Sequence, residues 1–234
     1  MCSMFSNMIN NASSRKLPLC ICIEDSKYID KLNADEIIKE IRGFLKDMKN
    51  DPEISRCADI YFCVFSNRTS VLTDGFKPIS ELNTNNLWTE TVLESEEVCL
   101  CKCLNETFFE LCKQQKHYES SRQNTYKPVI MLLGSGHAEK NTSVNEELIS
   151  QVESEMIVMQ PIIISRPANS DPSNYRIFVK DEQELSGFKH NTSREEILNY
   201  FHDIFNSINQ MSRSTAGIYE KPIRNTEERW RELK

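Results

Sequence analysis

The chain has 234 residues, 39% of them hydrophobic and 27% charged, enough for one domain with a buried core, or one such domain with a small appendage. Its 28 basic and 35 acidic residues give a net charge of -7, which lacks the dense basic stripe that drives sequence-independent nucleic-acid binding. No apolar stretch reaches the roughly 18 to 20 residues that span a bilayer, and "MCSMFSNMINNASSRK" lacks the apolar centre of a secretory signal, so a cytoplasmic protein is expected.

The first element is "LPLCICIEDSKYIDKL". Leu17 to Ile23 is apolar at nearly every position, as in a strand covered on both faces of a parallel sheet. It ends in Glu24, Asp25 and Ser26 before a helix. Asn33 is its expected N-cap, with Glu36 three residues on. Ile37, Ile38, Ile41, Phe44, Leu45 and Met48 form its apolar face. Pro52 predicts a stop near Asn50.

"ADIYFCVFS", from Ala58 to Ser66, predicts a second doubly buried strand, and "NRTSVLTDGFKPISEL" a turn and edge strand closing at Asp74-Gly75. Asn83 to Glu97 reads as a long loop, where a specific function would be carried. A helix is predicted from about Leu104 to Tyr118, and "KPVIMLLGSG" is a third central strand ending in Gly134-Ser135-Gly136. A helix at "SVNEELISQVES" and strands at "MIVMQPIIIS" and "YRIFVK" follow. The last helix opens on a Ser193 and Glu196 capping box and runs to about Arg213.

Strands apolar on both faces alternating with helices predict an α/β fold, a three-layer sandwich with a mostly parallel central sheet flanked by helices in a Rossmann-type topology. The expected division is an N-terminal extension at 1–14, a domain at 15–213 and a charged tail at 214–234. In such folds ligands bind past the carboxyl ends of the strands. The loops expected there are Glu24 to Asp30, the stretch around Cys101 to Asn105, and Gly134 to Lys140.

Each loop admits a chemical and a plainer reading. Glu24, Asp25 and Ser26 are hard oxygen donors for a magnesium-like ion, or they cap backbone amides. Gly134-x-Gly136 would let a backbone approach a phosphate, but no third glycine or Lys-Ser/Thr follows and the first loop is acidic. Cys99, Cys101 and Cys103 with Cys112 resemble part of a zinc cluster whose second Cys pair is missing; buried reduced thiols are the alternative. His117 and His137 are isolated, and no nucleophile, base and orienting acid stand in a recognisable spacing.

"LPLCICIEDSKY", "FLKDMKNDPEISRCADIYFCVFS", "YKPVIMLLGSG" and the final capped helix, in that order, resemble a von Willebrand factor A (VWA) domain of the bacterial tellurite-resistance and stress-response subgroup. The resemblance runs from about Arg15 to Arg213. It implies a protein-interaction module rather than an enzyme, with a metal-ion-dependent adhesion site built from the three loops. Position by position that site departs from the family: Glu24 replaces its first Asp, Ser26 is kept, Tyr28 replaces its second Ser, Lys102 stands near its Thr, and Gly134-Ser135 replaces Thr-Asp. The resemblance therefore implies a degenerate site with no metal cofactor and a partner-binding surface at Asp25, Lys27, Gly134, Gly136 and His137. Lys102 and Lys27 flank the mouth, and a bridge from a lysine to Glu24 is expected in the ion's place. Two alternatives stay open: a magnesium- or manganese-dependent adhesion domain, and a small nucleotide-binding α/β enzyme.

Overall fold

The computed structural model describes residues 15–29, 31–88, 94–135, 143–163 and 194–213. Four parallel strands make the centre: β1 (Leu17–Glu24), β2 (Ala58–Phe65), β5 (Val129–Gly134) and β6 (Val158–Ile163). Two short antiparallel pieces, β3 (Thr69–Val71) and β4 (Lys77–Pro78), pair with β2, and the order is β3-β2-β1-β5-β6. The expected edge strand is thus two fragments. Asp74 and Gly75, at φ 54 and 88, turn the chain between them, which glycine tolerates and Asp adopts more readily than most residues.

Alternation along the strands sorts side chains into two buried layers. Leu17, Leu19, Ile21 and Ile23 of β1, with Ile60 and Phe62, face α1 (Lys31–Asn50), α2 (Pro52–Cys57) and α5 (Arg194–Arg213). Cys20, Cys22, Tyr61, Cys63, Ile130 and Leu132 face α3 (Leu100–Ser120) and α4 (Glu146–Glu153). The result is the three-layer α/β sandwich with a mostly parallel sheet that the apolar strands predict. No helix of the described residues is long and apolar enough to cross a membrane.

Helix boundaries differ from expectation in two places. α1 begins at Lys31 rather than after an Asn33 cap, a shift within the usual ambiguity of helix ends. α3 begins at Leu100 rather than near Leu104, so Cys101, Lys102 and Cys103 are helical and not part of a loop. Its N-cap, Cys99, makes no side-chain capping bond, which is why no start signal is visible. The segment that actually reaches the carboxyl ends of the strands is 94–99: Cys99 N donates to Ser66 O at 2.6 Å and Lys27 N to Ser95 O at 3.0 Å. "YRIFVK", Ser193 of the capping box, the 1–14 extension and the 214–234 tail lie outside the described residues.

The stop at Asn50 is explained by Asp51 and Pro52, which open α2. Asp51 Oδ1 accepts from Glu53 N at 3.0 Å and Ile54 N at 3.1 Å, while Oδ2 accepts from Arg213 Nη2 at 2.8 Å. One side chain thus caps α2 and ties the end of α5 to it. Asp51→Ala is expected to cost about 1 to 2 kcal/mol, and Asp51→Asn, which keeps the cap and loses the ion pair, less than half of that; chemical denaturation at low and high salt separates the two.

Candidate functional site

β1, β2 and β5 end side by side, and their carboxyl ends bring together three of the residues that the sequence singles out. Glu24 is 2% exposed, and Ser26 and Ser135 are fully buried. Glu24 Oε1 accepts from Ser26 Oγ at 2.5 Å and Ser135 Oγ at 2.7 Å, and Oε2 accepts from Ser135 N at 2.7 Å. The Ser26 hydroxyl in turn accepts from Tyr28 N at 3.2 Å, which fixes the first turn of the loop. Burial pushes the Glu24 carboxyl above its usual range, and the bonds from Ser135 and Ser26 pull it only part of the way back.

Around this buried knot the first loop runs from a buried Asp25 out to an exposed Lys27. Asp25 is 8% exposed, and its N donates to Phe65 O at 2.8 Å, locking the first loop to the end of β2. Lys27 is exposed, pairs with Glu96 at 2.6 Å, and stands 5.6 Å from the Tyr28 ring centroid. The hydrogen bond to Glu96 raises Lys27, and the same bond lowers Glu96. Gly134 is buried as the last residue of β5 and pairs with Ile163, so it is strand and not phosphate-binding turn. Gly136 and His137 lie outside the described residues.

Lys102 is corrected by the structure. It does not bridge to Glu24; its ammonium lies 4.0 Å from Glu106 on an exposed face of α3, where it borders a groove of about 870 Å³ with Tyr61, Val71 and Phe109. The reason is the early start of α3, which turns position 102 away from the strand ends. The lysine that does stand at the mouth is Lys27, and its acidic partner is Glu96 rather than Glu24. Ser95 and Glu96 belong to the Asn83 to Glu97 loop that the sequence marks for a specific function, but without periodicity nothing there singles them out as the rim residues.

The donor set bears on a divalent ion. Magnesium needs near-octahedral oxygen ligands at about 2.0 to 2.1 Å. Here both serine hydroxyls are turned into the Glu24 carboxylate, and the third donor to it is the backbone amide of Ser135. Among the described residues the one trio of His, Cys, Asp or Glu that converges on a point is Cys22, Cys63 and Cys103. At the strand ends the oxygen-bearing side chains are Glu24, Ser26 and Ser135, already bonded to one another, with the buried Asp25 beside them.

The cysteine reading also shifts. Cys20, Cys22, Cys57, Cys63, Cys101 and Cys103 are buried thiols, and Cys99 and Cys112 are half-buried. Cys99, Cys101, Cys103 and Cys112 do not form one cluster; Cys103 alone of them meets Cys22 of β1 and Cys63 of β2. Burial raises the thiols of Cys20 and Cys103 well above the ordinary thiol range.

Neither a family model nor a curated relative matches the chain. Solved structures do. Proximal thread matrix protein 1 from the mussel byssus, crystal form 2, is 9% identical with a TM-score of 0.54, covering 83% of this chain and 48% of that one. The same mussel protein with a zinc occupied MIDAS motif is 9% identical at a TM-score of 0.55, covering 82% and 48%. The fold is VWA-like. Manganese-loaded TRAP protein of Plasmodium vivax is 12% identical at a TM-score of 0.47, covering 81% and 73%. The chain spans about half the length of the mussel protein that it matches, and at these identities the likeness extends to the fold alone.

Proposed function

We propose that this VWA-like chain is a noncatalytic protein-interaction module that engages a protein partner at the carboxyl ends of β1, β2 and β5 without a metal ion. The observation that carries this reading is the Glu24 knot. In an ion-dependent site a cation gathers the loops; here Ser26, Ser135 and the Ser135 amide do so, closing on one carboxylate. The rim they hold in place is charged and aromatic, with Lys27, Tyr28 and Glu96 over the buried Asp25, which suits a polar protein surface. Nucleic acid and membrane are not part of the reading, given the net charge of -7. A cytoplasmic role in a bacterial stress-response or chemical-defence system, in a domain spanning 15–213 with a docking tail at 214–234, rests on the sequence resemblance.

Affinity capture from the native cells tests it. Lys27→Glu, which sets two carboxylates against each other at the rim, is expected to lower recovery of the partner several-fold, with recovery by the unaltered chain indifferent to chelator. Equal recovery by wild type and Lys27→Glu would refute docking at this mouth. Loss of capture in chelator, or a rise in melting temperature with millimolar magnesium, would establish the metal-dependent alternative instead. The same melt with nucleotides addresses the enzyme alternative.

A further inference from the structure

On the opposite face of the sheet from α1, and independent of that reading, three sulfurs from three elements meet. Cys22 and Cys63 are register partners on neighbouring parallel strands, so their side chains leave the same face side by side. Cys103, in the first turn of α3, lies over them, with Cys63 Sγ and Cys103 Sγ 3.7 Å apart and all three sulfurs within 4.8 Å of one another. Thr107, four residues on along the helix and so on the same face, brings its Oγ1 to 3.3 Å from Cys22 Sγ and 3.9 Å from Cys63 Sγ. All four side chains are fully buried.

We infer that Cys22, Cys63 and Cys103, with the Thr107 hydroxyl as the fourth corner, form a tetrahedral binding site for a thiophilic metal ion, zinc. Zinc bound to sulfur at about 2.3 Å and to oxygen at about 2.1 Å sets its ligands about 3.8 Å apart for a sulfur pair and about 3.6 Å for sulfur and oxygen. The separations of 3.7, 3.3 and 3.9 Å straddle those values, and the widest sulfur pair need close by no more than about 1 Å. Three of the four donors are soft thiolates and none is a carboxylate, which selects zinc against magnesium or calcium. Binding breaks three S–H bonds and releases three protons to solvent. The bound ion carries one net negative charge with three thiolates, and affinity rises with pH. With no exposure at any ligand, the ion enters before α3 docks on the sheet.

Refolding the full reduced chain with zinc, followed by gel filtration and metal analysis, tests the site. The expected content is about one zinc per chain. Cys103→Ala is expected to lower it to below about a tenth, while Cys101→Ala, a buried thiol two residues away outside the trio, leaves it unchanged. Refolding with cobalt reads the same site without any substitution. Tetrahedral thiolate ligation gives strong near-ultraviolet charge-transfer absorption and visible ligand-field bands. A wild-type chain that returns below about a tenth of an equivalent of zinc and shows no such cobalt bands overturns the site, as does undiminished zinc in a folded Cys103→Ala chain.

Discussion

Glu24→Ala is expected to destabilise the protein by about 3 to 4 kcal/mol, whereas Glu24→Gln should cost less than about 1 kcal/mol. Alanine leaves the Ser26 and Ser135 hydroxyls and the Ser135 N–H without their acceptor in a buried place, together with a cavity. The amide N–H matters most, because hydroxyls rotate to new acceptors and a backbone N–H does not. Glutamine keeps an oxygen for that N–H and turns its own amine toward the hydroxyls, which reverse their roles. For a chain of this size the alanine loss corresponds to a melting temperature lowered by roughly 10 °C.

The pH dependence has a definite sign. Burial raises the folded-state value of Glu24 above its unfolded value, so the folded chain binds the extra proton. The contribution of Glu24 is then fully present below the unfolded carboxyl value, and part of it is lost as pH climbs through the raised folded value. The stability of wild type minus that of Glu24→Gln should fall with rising pH across that window and be flat above it. A difference that grows with pH would mean that the three hydrogen bonds outweigh burial. Since Gln is a poor partner for a divalent cation but a good one for these donors, near-wild-type stability and partner capture in Glu24→Gln would also separate the ion-independent reading from the ion-dependent one.

Much of this fold is legible in the sequence because burial on both faces leaves a plain mark. Leu17 to Ile23, Ala58 to Phe65 and Val129 to Leu133 are short runs without polar alternation, rich in branched and aromatic residues, as a sheet covered on both sides accommodates. The stop at Asp51-Pro52 is legible too, since a capping carboxylate and a proline at the first helical position act locally. What local chemistry does not encode is lost. Cys99 offers no capping oxygen, so α3 starts unseen and Lys102 is placed at the mouth when it lies on the helix surface. Glu24, Ser26 and Ser135 are marked by their strand ends, but Ser95 and Glu96 reach the rim through an aperiodic loop. The sulfur trio depends on strand register, which sets Cys22 against Cys63 and which no spacing within either strand reveals. The i, i+4 pair of Cys103 and Thr107 is the one part of it that the sequence displays.

Asp59→Ala should cost about 3 kcal/mol while leaving partner capture intact, because the residue holds the end of the sheet farthest from the loops. Asp59 stands second in β2, paired with Pro18 of β1, and is 4% exposed. Its Oδ1 accepts from Lys16 Nζ at 3.0 Å, and its Oδ2 from the Tyr118 hydroxyl at 2.7 Å, so one carboxylate joins the start of β1, β2 and the last turns of α3. Burial, and next the Asp59 charge, hold the Tyr118 hydroxyl above its ordinary range, so it stays a donor throughout the physiological range. Removing the carboxylate strands a buried hydroxyl and a lysine whose side chain is only 18% exposed. Tyr118→Phe, which removes one donor and leaves the ion pair, should cost about 1 kcal/mol. The double variant should cost less than the sum, since the two share one bond. Strict additivity in denaturant melts would mean that the bond contributes nothing. Comparing Asp59→Ala with Lys27→Glu then divides the molecule by function: the first lowers stability without touching recognition, and the second touches recognition at little cost in stability, as expected if the parallel sheet is a rigid platform and its carboxyl-end rim the working surface.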